Sequence, residues 1–324
     1  MYKLNFLQYP EVNTIQIDSS KALEALKDNT NVETFIKKFR LTFGFKSLNT
    51  FSFSKDGFLS MMLSLKGKIL VSSGESQAII DAANAYKQLG FDIEFISLKK
   101  DGHINYEEIK RCDYIFISSY IMDTYVKVDL EKVKELSDGK IISNISSSFD
   151  VKYCDIALLE SFKLTGFSFS SIILHNEVFE EQYLGSIDTI AVYEISNAVD
   201  SFRGISEYKN EFKSCIDKEI GDDIYYFVNP NDTLPYTLHF GLKGIKAREI
   251  IRTLSLGDIY VTNGEGCSLG LSKPSRVLQE MGYEEIESRW ALSLSFSKEL
   301  NSEDILFLAK TIAKKYRQVK ALNG

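Results

Sequence analysis

Proline and cysteine are both scarce, with four of each in 324 residues. Cys112, Cys154, Cys215 and Cys267 show no CxxC spacing, which argues against a zinc site and against a disulfide framework. His103, His175 and His239 are too dispersed to form a metal cluster, so no metal is expected. No segment approaches the roughly eighteen continuous apolar residues of a membrane span. The opening MYKLNFLQYPEV lacks the apolar core of a signal peptide. A net charge of −7 leaves no basic footprint, so nucleic acid is not an expected partner. Low-complexity linkers are absent. These absences together point to a protein of the reducing cytoplasm.

What is present is ordinary for a soluble globular chain: 44% hydrophobic and 26% charged residues. The length suits one large unit and a smaller one. From residue 66 strands and helices alternate. Strands are expected over 68–72, 92–97 and 114–118, and helices over 77–89 and 127–136. This alternation predicts right-handed βαβ units and a mostly parallel sheet covered on both faces. Before it, a short extended piece is expected over 5–9 and a helix over 21–26 capped by Ser19-Ser20. A second helix over 32–43 carries Phe35, Phe39 and Phe43 on one face, and strand 50–53 leads to helix 58–65. One long helix is expected over 190–212. Strands over 236–240, 259–261 and 292–296, with helices over 247–254 and 302–320, make a smaller α+β unit. The expected division is 27–209 for the α/β unit and 210–324 for the smaller one, with 1–26 packing against the latter.

Ligands in parallel sheets gather at the carboxyl ends of strands. Ser54, Ser76, Asp123, Asn144 and Lys163 all fall there. The stretch 141–174 concentrates the signal: an expected strand at 141–142, another over 154–159, and a third over 170–174. Lys163 lies on the turn between the last two. A lysine so placed packs its stem while its ammonium faces a crevice, and desolvation there favours the neutral amine that covalent catalysis needs. Taken alone, it is more simply a solvated loop lysine. Ser54-Lys55-Asp56-Gly57 before helix 58–65 aims backbone N–H groups at whatever lies above and suits a phosphate. Asp56 reads more simply as the N-cap of that helix.

Asn144, the small residues after it, Asp155 before a strand, and Lys163 with Gly166 three residues on form a pattern. It resembles the cofactor region of fold-type I pyridoxal-phosphate enzymes, specifically the class V aminotransferase and cysteine desulfurase (NifS-like) group. In the C-terminal unit, Val261-Thr262-Asn263-Gly264-Glu265-Gly266-Cys267-Ser268 precedes Lys273-Pro274-Ser275-Arg276-Val277-Leu278 and Met281-Gly282. This resembles the desulfurase loop that ends in the persulfide-forming cysteine, followed by a Pro-Ser-x-Val-Leu helix. The resemblance runs from about residue 50 to the C-terminus and is densest after residue 261.

The resemblance implies a seven-stranded, mostly parallel sheet with a smaller C-terminal domain, and pyridoxal 5'-phosphate as cofactor. It implies an amino-acid substrate held through a Schiff base at Lys163, with Cys267 as sulfur acceptor. Asn144 falls where the family has the acid that pairs with the pyridine nitrogen. Ser147 falls at the partner of the phenolic oxygen, and Ser54, Lys55 and Asp56 at the phosphate loop. Gly185-Ser186 matches a Gly-Thr pair whose hydroxyl reaches the other subunit's cofactor, which implies a homodimer. A sulfur-accepting protein partner is implied too.

Several positions depart from the family. Ser76 replaces the ring-stacking histidine, Phe162 the histidine before the lysine, and Met122 an asparagine beneath the substrate. Glu160 replaces a phosphate-binding serine, where a carboxylate repels phosphate unless it turns away. Ser293 falls at the arginine that clamps the substrate carboxylate, with Arg276 and Arg289 as candidate substitutes. Three readings stay open at this point: a divergent pyridoxal-phosphate desulfurase, an aminotransferase or decarboxylase that uses Lys163 without Cys267, and a catalytically degenerate homologue that acts as a binding or regulatory partner.

Overall fold

The computed structural model describes residues 1–10, 30–179, 187–202, 207–264, 274–296 and 300–323. Seven strands form the principal sheet: β2 (Ser47–Phe51), β3 (Ile69–Ser72), β4 (Ile93–Ile96), β5 (Tyr114–Phe116), β6 (Lys140–Asn144), β7 (Ile156–Leu159) and β8 (Ser171–His175). Their spatial order is β2-β8-β7-β6-β5-β3-β4. Only β8 pairs antiparallel, with β7 on one side and β2 on the other. The inner strands are continuous apolar runs, such as ILVS in β3 and IALL in β7, and every residue of both is buried. That is the expected signature of strands covered on two faces.

Alternate residues of each strand feed opposite layers. Val71, Ile142, Leu158 and Ile173 pack against helices α2 (Lys55–Leu65) and α3 (Gln77–Gln88) through Phe58, Met61, Met62 and Ala83. Ala157, Leu159 and Ile172 pack on the other face. Their partners are Phe39 and Phe43 of α1 (Thr30–Phe43) and Val192 and Ile195 of α6 (Thr189–Ser201), which follows α4 (Leu130–Leu136) and α5 (Ser161–Thr165). Chain order reverses at β3, whose neighbours are β4 and β5. A crevice therefore opens at the carboxyl ends of β3, β5, β6 and β7.

A second core lies around β9 (Ile224–Tyr225), β10 (Thr237–Leu242) and β12 (Ala291–Ser295), covered by α7 (Tyr208–Ile220), α8 (Ala247–Ser255) and α11 (Ser302–Asn323). Strand β1 (Tyr2–Lys3) pairs in parallel with β11 (Ile259–Tyr260). The short helices α9 (Arg276–Glu280) and α10 (Glu285–Ser288) lie between β11 and β12.

Three local expectations need correction. Residues 5–9 are not extended: the Gln8 and Tyr9 amides donate to the Asn5 carbonyl in a tight turn, and pairing is confined to β1 and the Asn5 bridge to Ser295. The N-cap of α2 is Ser54, not Asp56; its hydroxyl accepts from the Gly57 amide at 3.2 Å while its own backbone is extended. Gly57 is required there, since a Cβ would stand 1.9 Å from the Ser52 carbonyl oxygen. Finally, the apolar periodicity over 190–212 does not make one helix. α6 stops at Ser201 and α7 starts at Tyr208. Phe202 between them is extended, and its ring packs on Phe149 and Tyr236. The expected helix 21–26 lies outside the described residues.

Candidate functional site at the carboxyl edge of the sheet

Lys163 sits in the middle of the five-residue helix α5, which Gly166 ends with a left-handed backbone (φ +76°). The brevity of α5 keeps the lysine next to the end of β7, where it is 8% exposed. Its ammonium donates to the Tyr120 hydroxyl at 2.5 Å and lies 3.5 Å from Glu160 Oε2 and 3.6 Å from the Met122 sulfur. Tyr120 and Met122 belong to the loop after β5, so side chains from two strand ends meet here.

Asn144, the last residue of β6, is 1% exposed. Its Oδ1 accepts from the Ser146 amide (3.1 Å) and the Ser146 hydroxyl (2.6 Å). With the oxygen so engaged, the amide nitrogen faces Glu160 and donates to Oε2 at 3.1 Å. The Glu160 backbone amide donates in turn to the Ser146 hydroxyl at 2.7 Å. Asn144 and Lys163 therefore converge on one carboxylate. The Glu160 side chain is turned inward, onto Asn144 and Lys163.

Glu75, after β3, was not singled out by its sequence. It is 2% exposed and accepts from the Ser118 amide and from the Ser118 hydroxyl at 2.8 Å. Burial pushes its carboxyl up to about 7, against the pull of the Ser118 hydrogen bonds and of the Lys163 charge. Tyr120 was missed as well, because a tyrosine inside an apolar run looks like core until its partner is known.

Ser147 is buried and its hydroxyl has no hydrogen-bond partner among the described residues; the same holds for the Ser76 hydroxyl. Ser54 is occupied as the cap of α2, and Lys55 and Asp56 are exposed at its start. Cys267 and Ser186 lie outside the described residues.

These groups fit the ring of pyridoxal phosphate. Two orphaned hydroxyls stand at positions 76 and 147, the Asn144 amide has a second hydrogen besides the one given to Glu160, and an amine is close by.

The surroundings of Ser293, the position at which a substrate clamp was expected, differ. Ser293 Oγ donates to the Asp123 carbonyl at 3.1 Å and lies 3.0 Å from His239 Nδ1. Burial holds His239 down to about 3, so the ring is neutral. Arg276 spends its guanidinium on the Ser73 carbonyl (2.6 Å), the Glu75 carbonyl and Gln77 Oε1 (3.1 Å), which ties α9 to the loop after β3. Arg289 is engaged by Glu285 at 2.6 Å. Neither candidate substitute presents an open guanidinium.

No family model matches the chain. A cysteine desulfurase from Archaeoglobus fulgidus is 22% identical over 273 residues, covering 74% of this chain and 72% of its own length. Two solved structures share the fold. A NifS-like protein superposes with a TM-score of 0.72 at 14% identity, covering 97% of this chain and 98% of the other. A NifS-like protein from Rickettsia africae gives 0.71 at 16% identity, covering 98% and 99%.

Proposed function

Starting from a chain that is a distant, divergent homologue of the cysteine desulfurases in the class V aminotransferase family, we propose that it is a pyridoxal-phosphate enzyme acting on a small amino acid. The observation that carries this is the convergence of Lys163 and Asn144 on Glu160 at the sheet's carboxyl edge, beside the unpartnered Ser147 hydroxyl. Lys163 would anchor the cofactor and Asn144 would donate its free amide hydrogen to the ring nitrogen. Ser147 would donate to the phenolic oxygen, and the start of α2 at Ser54, Lys55 and Asp56 would face the phosphate. Once bound, the cofactor supplies an electron sink for bonds at the substrate's α-carbon. Cys267 is the proposed sulfur acceptor, handing sulfur to a protein partner, and Ser186 would complete the neighbouring site in a homodimer.

Proton handling follows from the neighbours of Lys163. Tyr120 holds one of its hydrogens at 2.5 Å, and Glu160 offers an acceptor at 3.5 Å. A second reading, a homologue without catalysis that serves as a binding partner, is favoured by one observation: Ser293 and the engaged Arg276 leave the substrate carboxylate without a visible clamp.

The test is an absorbance spectrum of the purified protein with excess pyridoxal phosphate. The expected result is a visible band in the wild type that borohydride removes, and no such band in Lys163→Ala. A wild type without the band at saturating cofactor hands the assignment to the second reading. A band unchanged in Lys163→Ala overturns Lys163 as the anchor.

A further inference from the structure

We propose that Glu160 is the anion around which this site is organised: it holds Asn144 and Lys163 together and sets the direction of the Asn144 amide. The assignment of that amide to the ring rests on the cofactor reading above. The pairing itself rests on geometry alone. Asn144 Oδ1 is fixed by two donors from Ser146, so its nitrogen must face Glu160, and it does so at 3.1 Å. Ser146 closes the loop by accepting from the Glu160 amide. Were residue 144 an aspartate, its second oxygen would stand at that same distance from the Glu160 carboxylate. Two like charges that close in a buried place cannot both stay ionised. Were residue 160 neutral beside Asn144, Lys163 would lose its 3.5 Å counter-ion. The amide at 144 and the carboxylate at 160 are therefore matched to each other.

The carboxylate meets the lysine ammonium and the amide together, and by holding one amide hydrogen it fixes the direction in which the other points. A carboxylate at 144 would reach the ring nitrogen directly; one at 160 acts through the Asn144 N–H, as a positioning group and not as a proton partner.

The test is a cycle of isosteric swaps: Asn144→Asp, Glu160→Gln, and both together. The double variant keeps one carboxylate and one amide in mirrored places. Urea denaturation without cofactor and pyridoxal-phosphate titration by fluorescence are both measured, so neither readout depends on turnover. Each single variant is expected to lose stability and about tenfold in cofactor affinity, while the double variant returns to within about threefold of wild type. Additive losses in the double variant, in either readout, overturn the proposal. If the wild type binds no cofactor while the denaturation cycle is non-additive, the ring assignment is overturned with the cofactor reading and the pairing stands alone. If Asn144→Asp does not fold, Glu160→Gln and the double variant decide: the double must be the more stable of the two.

Discussion

Two buried polar clusters are built in different ways. Around Lys163 the charges are paired: Glu160 meets both Asn144 and Lys163. Around Ser293 a hydroxyl lies between a neutral imidazole and the Asp123 backbone carbonyl, all within residues at most 2% exposed, and the Asp123 carboxylate accepts from the Ser275 hydroxyl at 2.6 Å. A buried ion pair holds its partners by charge, and removing one leaves the other uncompensated, whereas a cluster of neutral hydrogen bonds gives way at lower cost. The contrast teaches that the surroundings of Lys163 are under tighter internal constraint than those of Ser293.

Four measurements can break or sharpen this contrast. The largest effect is expected in turnover. On the proposed reading, in which Ser293 and Asn144 stand where the resemblance implies charged groups, sulfide release from free L-cysteine should fall roughly a thousandfold below that of an efficient enzyme. A normal rate would show that another group clamps the carboxylate.

Next is Ser293→Arg. At a position that is 0% exposed, between His239 and the Asp123 carbonyl, the larger side chain must displace packed neighbours, and the buried Asp123 carboxylate is already held by the Ser275 hydroxyl at 2.6 Å. The substitution should destabilise by about 4 kcal/mol in urea denaturation and restore no sulfide release. A stable, active variant would mean that this position was one substitution from function.

Third, Lys163→Ala leaves the Glu160 carboxylate with Asn144 alone. A loss of about 3 kcal/mol is expected in the same assay; an unchanged midpoint would show the pair to be incidental.

The smallest effect is a pH dependence. Glu75 has a folded value of about 7 against an ordinary 4.5. The folded protein therefore takes up this proton first, and the stability linked to it is complete below 4.5 and lost as pH rises through 7. Between those limits the wild type should lose about 2–3 kcal/mol relative to Glu75→Gln, whose side chain cannot titrate. Parallel curves for the two proteins would rule Glu75 out as the source.

Much of this was legible in the chain itself. The runs ILVS and IALL are strands because a buried parallel strand has no polar face to alternate, and both stand where their apolar character puts them. Lys163 was marked by its place between two strands, with Gly166 three residues on. Phe35, Phe39 and Phe43 were marked by helical spacing, and the helix that carries them is present. These are properties of near neighbours, and local sequence encodes them because the backbone period decides them.

The tertiary structure decided the rest. Phe202 carries the same apolar signal as its helical neighbours, yet its ring is held by Phe149 and Tyr236, 53 residues before it and 34 after, and the helix ends there. Arg276 looked available for a substrate, but its donors are taken by a loop some two hundred residues earlier. Glu160 read as a group that would repel a phosphate, and only the placement of β6 beside β7 turns it into the partner of Asn144. A side chain's charge and size belong to the sequence. Which group satisfies it depends on the order of strands in the sheet, and that order is set by burial of whole elements against one another, not by any residue's immediate neighbours.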